Sequence, residues 1–120
     1  MDLQDASLDG GALNQAIANE IGRLLADFTG RGASTSRAFV HDDVVVCLLE
    51  HSLTKAERNL LAAGQTEVVR RLRDVFQTTM ETDLVAIVER LTGRRVRTFV
   101  SGSNVSTDTS TEVFLLEPPA

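Results

Sequence analysis

The chain has 120 residues, 42% of them apolar and 24% charged, with a formal net charge of -5. That balance is expected of one globular domain and excludes a disordered tail, a collagen-like repeat and a disulfide-stapled miniprotein. No apolar run approaches the ~18 residues that cross a bilayer, and Met1-Asp2-Leu3-Gln4-Asp5 lacks the basic and apolar regions of a secretory signal, so a chain that neither spans a membrane nor carries a secretory signal is expected.

Residues 1–9 are polar and acidic and read as a flexible N-terminus. Residues 10–117 read as a single domain, with 118–120 a short C-terminal tail. Leu13, Ile17, Ile21, Leu24, Leu25 and Phe28 recur at helical spacing. Gly30 then stops the helix in a left-handed conformation, and residues 30–36 read as a loop. Residues 36–41 alternate, with Ala38 and Val40 on one side and Arg37, Phe39 and His41 on the other. Asp42-Asp43 makes a turn, and Val44–Leu49 is apolar throughout. Together they predict a β-hairpin. An apolar second strand implies that both its faces are covered, one by helices and the other by a second copy of the chain.

Thr54-Lys55-Ala56-Glu57 is a capping box: Thr54 accepts the Glu57 N–H, and the Glu57 carboxylate accepts the Thr54 N–H. The short helix that it opens ends at Gly64. A long helix follows over about Thr66–Leu91, with Val69, Leu72, Phe76, Met80, Leu84, Ile87 and Leu91 as its apolar stripe, widened by Val68, Val75 and Val88. Gly93 ends it. Residues 95–101 alternate as a strand, 101–111 read as a polar loop, and 112–117 read as a last strand before Pro118-Pro119. The order α-β-β-α-α-β-β predicts an α+β domain with a mainly antiparallel four-stranded sheet packed against helices, one of them long.

These residues carry a resemblance. Gly30-Arg31-Gly32, a strand ending before Asp42-Asp43, the Val-rich strand, Leu53-Thr54-x-x-Glu57-x-x-Leu60, Val69-x-x-Leu72-Arg73, Leu91-Thr92-Gly93 and Val113-Phe114-Leu115-Leu116 follow one another. The order resembles the MpsC-like family, small bacterial domains named after the C subunit of a Na+-translocating, membrane-potential-generating system. The resemblance covers roughly residues 13–117. Family members usually continue Gly-Arg-Gly with Pro, where Ala33 stands here; Pro would stiffen the loop by fixing its backbone. The resemblance implies a cytoplasmic accessory protein with membrane transport subunits as partners. It carries over no substrate, cofactor or catalytic residue.

Three groups of residues are candidates for function. Gly30, Arg31 and Gly32, with Arg37, suit a small anion: backbone N–H groups and two guanidinium groups bind phosphate or carboxylate. The competing reading is a helix cap followed by a turn, and the loop lacks the Lys and Ser/Thr of a nucleotide-binding P-loop. Arg70 and Arg71, and Arg94 and Arg95, lie in a stretch from Arg58 to Arg97 with eight basic and five acidic residues. They are candidate partner contacts, for an acidic protein or an anionic surface. The competing reading puts Arg70, Arg71 and Arg73 on the polar side of the long helix, paired with Glu67 and Asp74, and Arg94 and Arg95 at the helix C-terminus, offsetting its dipole.

His41, Asp42, Asp43 and His51 are metal-ligating types, but no spacing makes three or four of them converge, so no metal is expected. Cys47 sits inside an apolar strand as a buried thiol. No nucleophile motif is present, so no enzyme and no cofactor is expected. The acidic balance and the absence of Trp and Tyr oppose nucleic-acid binding. The expected function is a self-associating, non-enzymatic accessory domain, most simply a homodimer; the alternative is an anion-binding module at the Gly-Arg-Gly loop.

Overall fold

Apolar residues spaced by three and four form three helices, and alternating residues form four strands, in the structure, a computed structural model that describes residues 10–119. The elements are α1 (Gly10–Thr29), β1 (Thr35–His41), β2 (Val44–Glu50), α2 (Lys55–Ala62), α3 (Thr66–Thr92), β3 (Val96–Asn104) and β4 (Thr109–Leu116). The order is the α-β-β-α-α-β-β that the sequence predicts. The reading of residues 1–9 as flexible lies outside the described residues.

All strand pairs are antiparallel, and the sheet order is β1-β2-β4-β3. Two hairpins therefore lie side by side, with the Val-rich β2 in the centre against β4. The Asp42-Asp43 turn sets the register His41↔Val44 through Thr35↔Glu50. Gly30 closes α1 at φ +82°, with its N–H donating to Ala26 O. Gly22 has another reason to be glycine: a Cβ there would stand 2.9 Å from Ser36 Oγ, where α1 crosses β1.

One face of the sheet carries the core. Ala38, Val45, Cys47, Leu49, Phe114 and Leu116 pack against Ile17, Ala18, Ile21 and Leu25 of α1 and Met80, Leu84 and Val88 of α3. At ~1.5 Å per residue α3 is ~40 Å long, more than the sheet can cover. Its first turn packs elsewhere: Val69 joins Leu53 and Val105 in a second small core, flanked by Leu60 and Leu61.

Two sequence readings are corrected. The polar stretch 101–111 is mostly strand, because β3 continues to Asn104 and β4 starts at Thr109. Ser and Thr side chains pair across an antiparallel ladder, as Ser103 Oγ and Ser110 Oγ do at 3.0 Å. Only residues 105–108 remain as a loop, where Asn104 Oδ1 accepts the N–H groups of Ser106 and Thr107.

The second correction concerns α3. Its buried line is Val69, Arg73, Gln77, Met80, Leu84 and Val88, while Val68 and Val75 are exposed. The N-terminal half of the helix is rotated from the expected stripe, and two polar residues take buried places.

Candidate functional site

The second face of the sheet is the first feature with functional meaning. Alternation and register lay its residues out as a grid of four rows, each running across β1, β2, β4 and β3. The rows are Thr35-Glu50-Thr109-Asn104, Arg37-Leu48-Thr111-Gly102, Phe39-Val46-Val113-Val100 and His41-Val44-Leu115-Thr98. The third row is apolar across all four strands. Phe39 is 48% exposed and Val100 56%, and Val44 is exposed beside them. The core residues that α1 and α3 cover all lie on the opposite face. A solvated sheet face is normally polar at alternate positions; this one is apolar at its centre. The expectation that both faces of β2 are covered holds within one chain for the inner face alone.

The predicted anion site is built differently from the expectation. In the loop after α1, Gly30 N–H donates to Ala26 O, Arg31 N–H to Thr29 Oγ1 and Ser34 N–H to Glu50 O. Those three amides serve the cap and the start of the hairpin. Arg31 Nη2 donates to His51 O at 3.1 Å, and Arg37 lies 3.6 Å from Glu50 on the outer sheet face. Gly32 packs close to α1, where a Cβ would meet Ala26 at 3.4 Å.

The basic clusters also separate. Arg70 pairs with Glu67, as expected for the polar side of α3, and Arg71 is exposed. Arg94 is a clamp inside the fold: it donates to Asp42 O, to Asp43 Oδ1 at 2.5 Å and to Glu117 O. It ties the β1–β2 turn to the end of β4, while Arg95 is exposed. Arg71 and Arg95 stand near opposite ends of α3, roughly 35 Å apart by helical rise.

His41 and His51 do not approach each other. With a turn at Asp42-Asp43, His41 lies opposite Val44, and His51 follows Glu50, opposite Thr35 at the far end. That puts them ~20 Å apart at strand rise. Among the described residues no three His, Cys, Asp or Glu side chains group to hold a metal. Cys47 is a buried thiol, and burial, with Glu112 nearby as the lesser cause, pushes it up to about 12. It is no nucleophile at neutral pH.

The feature that the sequence reading missed lies under the sheet. Arg73 is buried, with Nη1 on Glu57 Oε1 at 3.2 Å and Nη2 on Ser52 Oγ at 2.5 Å. The capping box forms as predicted, but its Glu57 does more than cap: the same Oε1 that takes the Thr54 N–H also takes Arg73. One helical turn on, Gln77 Nε2 donates to Gly102 O and to Glu112 Oε2. Arg73 thus does not pair with Glu67 or Asp74 on the polar side of the helix.

A signal for this was present in the spacing. Arg73 and Gln77 lie in phase with Met80, Leu84 and Val88, and Glu112 alternates in phase with Phe114 and Leu116. Extending the apolar phase through polar residues would have put all three inside.

A protein-family model described as "Na+-translocating membrane potential-generating system (MpsC)" matches residues 9–118. The chain belongs to the MpsC family. No curated relative and no solved structure shows a significant match to it. The Gly-Arg-Gly loop, the capping box and both hairpins of this MpsC domain lie inside the matched span. Among its described residues no helix is long and apolar enough to cross a membrane.

Proposed function

We propose that this MpsC-family chain is a cytoplasmic, non-enzymatic accessory domain that acts by association and whose first partner is a second copy of itself. The observation that supports this is the apolar outer face of the sheet, with Phe39, Val46, Val113 and Val100 in one row. Two such faces stacked about 10 Å apart, with strands aligned within ~30°, make a β-sandwich.

The charge on the face favours a like partner. Within the four rows the single arginine, Arg37, and the single carboxylate, Glu50, already pair within the same chain, so the centre of the face offers no net charge for a charged protein to match. A twofold axis along the strands, between β2 and β4, would set the bulky Phe39 over Val100 and Gly102 of the second copy. Four strands at ~4.8 Å and seven residues at ~3.4 Å give a plane of roughly 450 Å2 per copy. Two copies bury on the order of 1,000 Å2, the low end for a specific interface, which fits a dimer of modest affinity.

The family name motivates the rest of the proposal, an accessory place beside membrane cation-transport subunits. Exposed Arg71 and Arg95 are surface cations available to such partners. The anion-binding alternative at Gly30, Arg31 and Gly32 has less support, because the amides of Gly30, Arg31 and Ser34 and the guanidinium groups of Arg31 and Arg37 are engaged within the chain.

Light scattering across a micromolar concentration series tests the association. The wild-type chain is expected to shift towards twice the monomer mass as concentration rises. Val46→Asp, which puts a charge in the centre of the open face, is expected to stay monomeric with an unchanged circular dichroism spectrum. A wild-type monomer at every concentration would falsify the self-association.

A further inference from the structure

Beneath the sheet the core holds two carboxylates and one guanidinium. Glu57 is 1% exposed, Glu112 2% and Arg73 4%. Water does not screen charges at that depth, so their count decides their states. Arg73 is committed to Glu57 and Ser52. Glu112 therefore has no cation of its own. What faces it is known from each packed element. From α3 it receives the Gln77 amide on Oε2, with Arg73 a turn earlier. From β2 the Cys47 thiol lies directly across the ladder, and from β3 the Ser101 hydroxyl does. From α1 comes the apolar Leu25, which lines the same small cavity, and α2 supplies Glu57 behind Arg73. Oε1 of Glu112 meets no hydrogen-bond partner at bonding geometry among the described residues, although the Ser101 hydroxyl lies near enough to favour the charged carboxylate. The cavity that Glu112 lines, with Arg73, Gln77 and Ser110 as its other polar walls, measures about 10 Å3, the lower limit of space for one water.

We propose that the Glu57–Arg73–Gln77–Glu112 cluster is a proton-binding site, in which two buried carboxylates share one cation and Glu112 takes up and releases the proton that balances them. The proton sits on the unpartnered Oε1 and is exchanged with solvent, while Gln77 holds Oε2 in both states. Burial pushes the Glu112 carboxyl from 4.5 up to about 7, against the smaller opposing pulls of Gln77, Ser101 and Arg73. The native state therefore holds this proton more tightly than the unfolded chain does. Its contribution to stability is fully present below about 4.5 and is lost as pH rises through about 7. On release, a bare carboxylate stands between α3 and the β3–β4 hairpin, so protonation sets how firmly those elements are held together. The site is independent of the self-association proposed above, since it lies on the opposite face of the sheet.

Carbon-13 NMR of the side-chain carboxyls in the full wild-type chain reads the site directly, with Glu112→Gln assigning the resonance. Glu112 is expected to titrate near 7, apart from exposed carboxyls at about 4. A Glu112 midpoint among those of the exposed carboxyls overturns the proposal. Glu57→Gln supplies the second test, because Gln at that position still serves the capping box while Arg73 is freed. The Glu112 midpoint is expected to fall in that variant; an unchanged midpoint overturns the sharing of one cation. In denaturant unfolding, the wild-type unfolding constant should rise by up to about tenfold per pH unit on approaching neutrality, and that of Glu112→Gln should not. An equal slope in both proteins counts against the site.

Discussion

Glu57 shows how much one side chain can carry. Its sequence position, three residues after Thr54, is sufficient to assign the capping box, and the box forms with both of its hydrogen bonds. The same carboxylate also holds the buried Arg73 from α3, which local spacing does not reveal. The two roles predict different energies. Thr54→Ala removes a cap and is expected to lower stability by ~1 kcal/mol. Arg73→Leu leaves Glu57 and Glu112 without a buried cation and is expected to cost about 3–5 kcal/mol at neutral pH. Urea unfolding of the two variants measures both, and equal losses would contradict the assignment of Arg73 to the core. Arg94 makes a similar point: its place after the helix suggests a dipole partner, yet its guanidinium reaches Asp42, Asp43 and Glu117.

Among the elements, α3 departs most from its sequence reading. Apolar periodicity finds the helix and its approximate ends, because Met80, Leu84 and Val88 repeat at four and Val69 lies in phase with them three turns earlier. It misplaces the N-terminal half because Val68 and Val75, which the apolar pattern groups with Val69, are exposed in the fold. Val75 is 58% exposed, whereas Leu84 is buried. Val75→Glu is accordingly expected to change stability by less than ~0.5 kcal/mol, and Leu84→Ala to cost about 2–5 kcal/mol. Thermal unfolding distinguishes them, and a large loss for Val75→Glu would mean that this side of α3 is covered in solution. The β3–β4 hairpin departs from its sequence pattern for a different reason. Ser, Thr, Gly and Asn signal loops by composition, but β4 finds β2 on its other side and becomes a central strand.

At the scale of the whole molecule, α1 and α3 pack on one side of the sheet, and no described helix covers the other. Each strand was legible by itself, as was the excess of apolar residues in Val44–Leu49. What was not legible is that Phe39, Val46, Val113 and Val100, from four separate strands, fall into one row. The apolar centre of that face predicts how association responds to solvent. Self-association through it is expected to persist or strengthen at high salt, since apolar burial is not screened. Sedimentation velocity at low and high salt checks this, and dissociation by salt would point instead to the exposed arginines.

The amino-acid sequence alone determined the α+β class, the element order, the helix caps and the family resemblance. These depend on spacings of two to four residues and on the order of motifs, which are properties of local chain geometry. The tertiary structure alone decided that Arg73, Gln77 and Glu112 meet inside the core, that His41 and His51 stay at opposite ends of a hairpin, and that no described helix covers the apolar sheet face. Those facts depend on which strand pairs with which and on how α3 is rotated against the sheet. The energies that settle them come from burying apolar area between distant segments, and no local pattern encodes that area.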